Sequence, residues 1–155
     1  MRIDKPQTPQ AQQRIQGHWP GNFSRQDRED RSNQGFADAK GRAEQQAMNE
    51  IDVKQNLEEI SRIIADTVPV ESIYLFGSYA YGTQNKDSDL DLYVVFKDEM
   101  AMRELEAIDS ILVAIDPVKK MSMDILGLKQ NRFHALKIHA TLERKIAREG
   151  LKLYG

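Results

Sequence analysis

The sequence predicts a small layered α/β or α+β fold in which helices cover at least one face of a sheet. Three features carry that expectation. Short β-type runs alternate with helical patterns instead of following one another. Apolar residues are sparse in residues 1–47, at 11 of 47, and rise to 51 of 108 from Met48 onward. Those 108 residues are enough for one hydrophobic core.

Residues 1–47 are rich in Gln, Arg, Asp and Gly, and Trp19, Phe23 and Phe36 recur with no helical or strand period. Such a segment buries too little to offset its ordering entropy, so it is expected to form a mostly disordered tail. The helix formers between Ala37 and Ala47 allow a turn or two, and Trp19 is the one candidate anchor for a partner. Residues 48–155 are expected to form the folded domain. Its first helix runs from about Asp52 to Asp66, because Val53, Leu57, Ile60 and Ile64 recur at helical spacing and Pro69 stops the pattern. Ser72–Phe76 is a first strand ending at Gly77, and Leu90–Phe96 is a second, reached through the polar loop Thr83–Ser88. Asp98 is the expected N-cap of a helix through about Ala114. Met121–Leu126 alternates as a third strand, and a last helix from about Gln130 to Arg148 closes at Gly150, leaving Leu151–Tyr154 as an extension.

Composition removes several functional classes. No cysteine is present, which excludes a disulfide framework and a Cys-based zinc or redox site. No apolar run approaches the roughly 20 residues that cross a bilayer. The start, Met1 to Pro6, has no apolar segment of a secretory signal, so the cytoplasm is the expected location. A net charge of -2 gives no general reason to expect a nucleic-acid partner.

The chemistry is concentrated between Leu75 and Leu92. Side chains two apart on a strand share a face, so Asp89 and Asp91 point the same way. Like charges held this closely repel unless a cation lies between them, and Mg²⁺ favours a couple of carboxylates plus substrate phosphates. In the third strand Met121, Met123 and Ile125 alternate against Ser122 and Asp124, which puts Asp124 on the polar face. If the second and third strands are neighbours with aligned faces, three aspartates converge; otherwise Asp124 is a strand-end acid facing water. Gly77-Ser78, at a strand-to-helix turn, lets backbone and hydroxyl approach a phosphate.

Gly77-Ser78, ten intervening residues and then Asp89-Leu90-Asp91 resemble the signature of the polymerase-β-type nucleotidyltransferase superfamily, in particular its minimal, antitoxin-like members. The resemblance runs from the first helix of the domain to Tyr154, including the ending Ile146–Tyr154. It implies an α+β fold with a small mixed sheet and flanking helices. It further implies two Mg²⁺ ions on Asp89 and Asp91, Asp124 as third acid and candidate base, and Gly77 and Ser78 on the nucleotide. The implied reaction moves a nucleoside monophosphate, AMP from ATP, to a hydroxyl of a protein or small molecule. Minimal members often act as antitoxins that adenylylate a tyrosine of a HEPN-domain toxin, which makes a HEPN protein the implied partner. Tyr81 departs from the pattern, since that position often carries Arg or Lys in the family; Lys86 is a candidate replacement.

Two other readings compete. One is a non-catalytic antitoxin-type module that masks its partner, and the other is an enzyme resembling aminoglycoside nucleotidyltransferases. Tyr79 and Tyr81 either stack on a base or fill an apolar seam. His134 and His139, five apart, do not share a helical ligand face. Charge is split along the domain: Met48–Leu128 carries 7 basic and 16 acidic residues, and Lys129–Lys152 carries 7 basic and 2 acidic. The basic stretch is either a solvated surface or a dock for an acidic partner.

Overall fold

A computed structural model describes residues 36–155. The first helix, α1, spans Phe36–Thr67, beginning well before the expected Asp52. The expected boundary at Met48 therefore falls inside a continuous helix; residues 1–35 of the expected tail, with Trp19, lie outside the described residues. Helix propensity accounts for the extension, because the stretch Ala37–Ala47 contains good formers. Packing begins later. Val53 is the first residue against the core, followed by Leu57, Ile60, Ile64 and Val68, the stripe that the spacing foretold. Pro69, which has no N–H to continue the ladder, separates α1 from β1.

Strand β1 (Val70–Phe76) runs antiparallel to β2 (Leu90–Phe96), with Leu75 opposite Leu92 and Phe76 opposite Asp91. Between them lies a single helical turn, α2 (Ser78–Tyr81). After β2 the chain passes through α3 (Glu104–Ile115) into β3 (Met123–Lys129), which pairs parallel to β2. Two short helices, α4 (Gln130–Leu136) and α5 (Leu142–Glu149), precede β4 (Leu151–Tyr154), which pairs antiparallel with β1. The strand order is β3-β2-β1-β4, so the expected α+β fold with a small mixed sheet and flanking helices is present.

The sheet has a core on each face. Leu90, Leu92, Val94 and Phe96 alternate toward α1 and α3, joining Ile73, Leu75, Ile111 and Ile115. Tyr93 and Val95 alternate the other way, toward Phe133 of α4 and Ile146 of α5. On this second face Phe133 lies 5.5 Å from Tyr93 and 6.0 Å from Tyr74, ring centre to ring centre. The Tyr93 hydroxyl donates to Glu143 Oε1 at 3.0 Å, tying α5 to β2.

Four local expectations need correction. Asp98 does not cap α3: the helix starts at Glu104, and Glu106 accepts from the Arg103 N–H at 3.1 Å, while Asp98 accepts from Asn131 N–H at the start of α4. The buried Met100 holds the intervening residues as a turn. The third strand is shifted to Met123–Lys129 and passes through Gly127, where a Cβ would meet the Phe96 ring at 2.6 Å and the Val94 carbonyl at 2.8 Å; the glycine permits close packing here and does not end the strand. The single last helix is two, because Thr141 caps α5 by accepting from Arg144 N–H while donating to the Leu136 carbonyl. The terminal extension is strand β4. Among the described residues no helix is long and apolar enough to cross a membrane.

Candidate active site

Strand β1 ends at Gly77, whose φ of 72° and ψ of -156° fall in a region that is essentially reserved for glycine. A second constraint acts at the same residue. A Cβ on Gly77 would overlap the Asp91 carboxylate, so this backbone lies directly against that side chain. In the turn that follows, the Gly77 carbonyl accepts from the Ala80 and Tyr81 N–H groups at 3.1 and 3.2 Å. The amides of Ser78 and Tyr79 come too early for any intrahelical carbonyl to reach. Gly82, at φ 70°, closes the turn in the left-handed conformation.

The polar loop is self-bonded. Asn85 Oδ1 accepts from Asp87 N–H at 2.9 Å, and Ser88 Oγ accepts from Asn85 N–H at 2.9 Å, an arrangement typical of Asx-type turns. It delivers Asp89 immediately ahead of β2. There Leu90 N–H donates to the Ser122 carbonyl at 3.0 Å and opens the parallel ladder. Asp91 and Asp124 are register partners in that ladder, and paired residues of neighbouring strands face the same side. Asp91 is half-buried between Asp89 and Asp124, which are both exposed. All three acids and Gly77-Ser78 thus lie at one end of the sheet.

Electrostatics agrees with the placement. Burial pushes the Asp91 carboxyl above its ordinary range, and the Asp124 and Asp89 charges push it further in the same direction. Burial, and then the Asp89 charge, raise the Tyr79 phenol as well. Among the described residues no three His, Cys, Asp or Glu side chains are drawn into one metal-ligating cluster. The donor set itself is of the right kind: carboxylate oxygens are the ligands that Mg²⁺ prefers, and a half-buried carboxylate destabilised by two like charges gains from a cation.

Two neighbouring contacts have no counterpart in the sequence expectations. Tyr93 follows Asp91 by two residues on β2, faces the same side, and anchors α5 through Glu143. Lys145 of α5 places its Nζ 5.0 Å from the centre of the Tyr81 ring. Neither had a local signal, since each depends on where α5 packs. Tyr79, by contrast, packs against the first core, the seam reading of that residue. His134 bonds Glu71 Oε1 at 2.9 Å.

A family model described as "Nucleotidyltransferase domain" matches residues 57–152, a span that runs from the packed half of α1 into the start of β4. The chain belongs to that family. Within the polymerase-β-type superfamily it falls among the minimal, antitoxin-like nucleotidyltransferases. It is 33% identical over 100 residues to "Putative protein adenylyltransferase MJ1379" of Methanocaldococcus jannaschii, covering 64% of this chain and 92% of that one. It is 36% identical over 70 residues to the protein adenylyltransferase MntA of Shewanella oneidensis, covering 39% of this chain and 50% of MntA. A solved structure described as a toxin-antitoxin with AMP-PNP shares 25% identity at a TM-score of 0.45, covering 64% of this chain and 73% of that one. The nucleotidyltransferase role follows from membership; its acceptor and site residues do not.

Proposed function

We propose that this nucleotidyltransferase moves AMP from ATP to a hydroxyl of a protein partner, and that Asp89, Asp91 and Asp124 are its metal-binding acids. The observation that carries the reading is the pairing of Asp91 with Asp124 across β2 and β3, directly beside Gly77. This pairing supports a role for Asp91 and Asp124, with Asp89 just ahead of β2, as hard-oxygen donors beside a glycine backbone that leaves room for a phosphate. The relatives named as protein adenylyltransferases support AMP as the group moved and protein as the acceptor. A HEPN-domain toxin is the partner that fits, with a tyrosine hydroxyl as acceptor.

In this reaction the acceptor oxygen attacks the α-phosphorus of ATP, the bond from that phosphorus to the β-phosphate oxygen breaks, and pyrophosphate leaves. Gly77 and the Ser78 hydroxyl hold phosphate oxygens. Asp124, exposed on β3 beside Asp91, takes the proton from the acceptor hydroxyl. Asp89 and Asp91, with Asp124, would hold two Mg²⁺ ions, which supply neutralisation of the triphosphate and of the developing oxyanion.

A masking antitoxin is the competing reading, favoured by Tyr81 in place of a fixed cation. One experiment separates the two. Incubation with ATP labelled at the α-phosphate, Mg²⁺ and the HEPN partner should label the partner, and Asp89→Ala or Asp91→Ala should abolish both labelling and neutralisation. Neutralisation that survives these substitutions would select masking.

A further inference from the structure

The acids and the nucleotide leave the site short of positive charge. Three carboxylates and a triphosphate together outweigh what two divalent ions bring, and between Gly77 and Asp91 the only basic residue is Lys86, beside Asp87 in the exposed loop. A second source of positive charge lies on another element. Helix α5 lies in the basic stretch Lys129–Lys152, and two contacts fix its position against the site. Glu143, in its first turn, accepts from the hydroxyl of Tyr93, two residues beyond Asp91 on the same face of β2. Ile146 is fully buried in the second core. Between them Lys145 is exposed, and its Nζ rests 5.0 Å over the Tyr81 ring. Tyr81 lies three residues after Ser78, a spacing that puts both on one side of a helical turn.

We propose that Lys145 is a phosphate contact for the bound nucleoside triphosphate, held ready on the Tyr81 ring until the nucleotide enters. The inference rests on the transfer reading above. A cation over an aromatic face is held weakly at an exposed site, and a phosphate oxygen is a stronger partner; the ring positions the ammonium without competing for it. Lysine suits the task, because its flexible stem presents a compact charge with rotatable donors. Tyr81 is then a positioning residue. The aromatic side chain at this place and the distant lysine act as one unit, with the charge supplied from α5.

The test measures binding of ATP, AMP and adenosine, each with Mg²⁺, to the full chain and to Lys145→Gln, Lys145→Arg, Tyr81→Phe and Tyr81→Ala. Loss of a charge-assisted hydrogen bond predicts that Lys145→Gln weakens ATP binding by about tenfold or more, AMP less and adenosine not at all. Lys145→Arg should restore most of that loss, and Tyr81→Ala should cost more than Tyr81→Phe, which keeps the ring. ATP binding by Lys145→Gln equal to that of the unaltered chain overturns the proposal while leaving the transfer reading intact. Equal weakening of ATP and adenosine also overturns it, by making Lys145 structural. An unaltered chain that binds no ATP overturns the transfer reading itself. If Lys145→Gln fails to melt cooperatively, the comparison of Tyr81→Phe with Tyr81→Ala on ATP against adenosine decides the matter in the same two directions.

Discussion

Replacing Gly77 by alanine should damage both stability and transfer, for two separable reasons. Alanine at φ 72° and ψ -156° adopts a conformation that costs on the order of 1–3 kcal/mol. Its Cβ would also overlap the Asp91 carboxylate, which must swing aside; overpacking of this kind costs about 1–3 kcal/mol in a tight core. Asp91 is half-buried and has some room to move, so the lower end applies. The sum is about 2–4 kcal/mol, read as a lower urea midpoint at unchanged slope. Activity should fall further than stability does, since the displaced carboxylate leaves its place opposite Asp124. A double-mutant cycle isolates the second cause. In an Asp91→Ala background Gly77→Ala should retain its conformational cost and lose the collision, a coupling of about 1 kcal/mol. A Gly77→Ala cost below about 0.5 kcal/mol would refute the conformational argument, and an equal cost in both backgrounds would refute the contact.

Asp91→Asn should remove transfer yet raise the melting temperature of the metal-free chain. Because the Asp91 carboxyl is pushed above its ordinary 3.8, its ionisation opposes folding: the contribution favours the fold at low pH and is lost as pH rises through the raised value. The melting advantage of Asp91→Asn over the unaltered chain should therefore grow with pH across that window, and a flat difference would contradict it. Mg²⁺ at neutral pH should stabilise the unaltered chain more than the variant, as thermal melts with and without the ion would show. Asn56→Ala should cost about 1–3 kcal/mol in urea unfolding, because buried Asn56 donates to the Val118 carbonyl at 2.8 Å and accepts from Lys120 N–H at 3.3 Å. Tyr93→Phe should leave the ring packing intact and lose the bond to Glu143, a hydrogen bond to a charged group worth about 1.5–3 kcal/mol; hydrogen exchange should show α5 opening more readily than β2.

The parts of the fold that were legible from the sequence are those set by local pattern. The packed half of α1 has a strong helical stripe, and β1 and β2 are β-branched and aromatic runs bounded by glycine or polar loop residues. Asp124 was placed on the polar face because alternation about Ile125 survives any shift of the strand ends by two residues. The misread boundaries depend on contacts from elsewhere. The third strand continues past Leu126 because Gly127 lets Phe96 and the Val94 carbonyl occupy the space where a side chain would be. Asp98 looks like a cap until it is found serving Asn131 of another helix. Leu151–Tyr154 has too few residues to declare itself a strand, and becomes one because the β1 edge is available to it. Within the candidate site, the Asp-x-Asp pair and Gly77-Ser78 stand out by spacing, whereas the contact of Lys145 with Tyr81 has no sign in the sequence around either residue.

The direction of β3 is what makes a third acid available. Asp124 is the second residue of its strand, as Asp91 is of β2, and parallel pairing sets them side by side. In an antiparallel arrangement over the same residues Asp124 would face Val95 at the far end of β2, four residues from Asp91 or roughly 14 Å at strand spacing. Parallel neighbours require a crossover, and α3 supplies it by burying Ala107, Ile111 and Ile115 against the sheet. Asn56 then fixes the chain where it leaves that helix, through Val118 and Lys120, so the register of β3 is pinned before its first ladder bond forms. A one-residue slip would turn Asp124 to the opposite face and bury its charge among the residues of the first core, at a cost far larger than the modest repulsion it now suffers beside Asp91. The repulsion is therefore tolerated because the one-residue alternative is worse, and that constraint holds Asp124 beside Asp91 before any cation arrives.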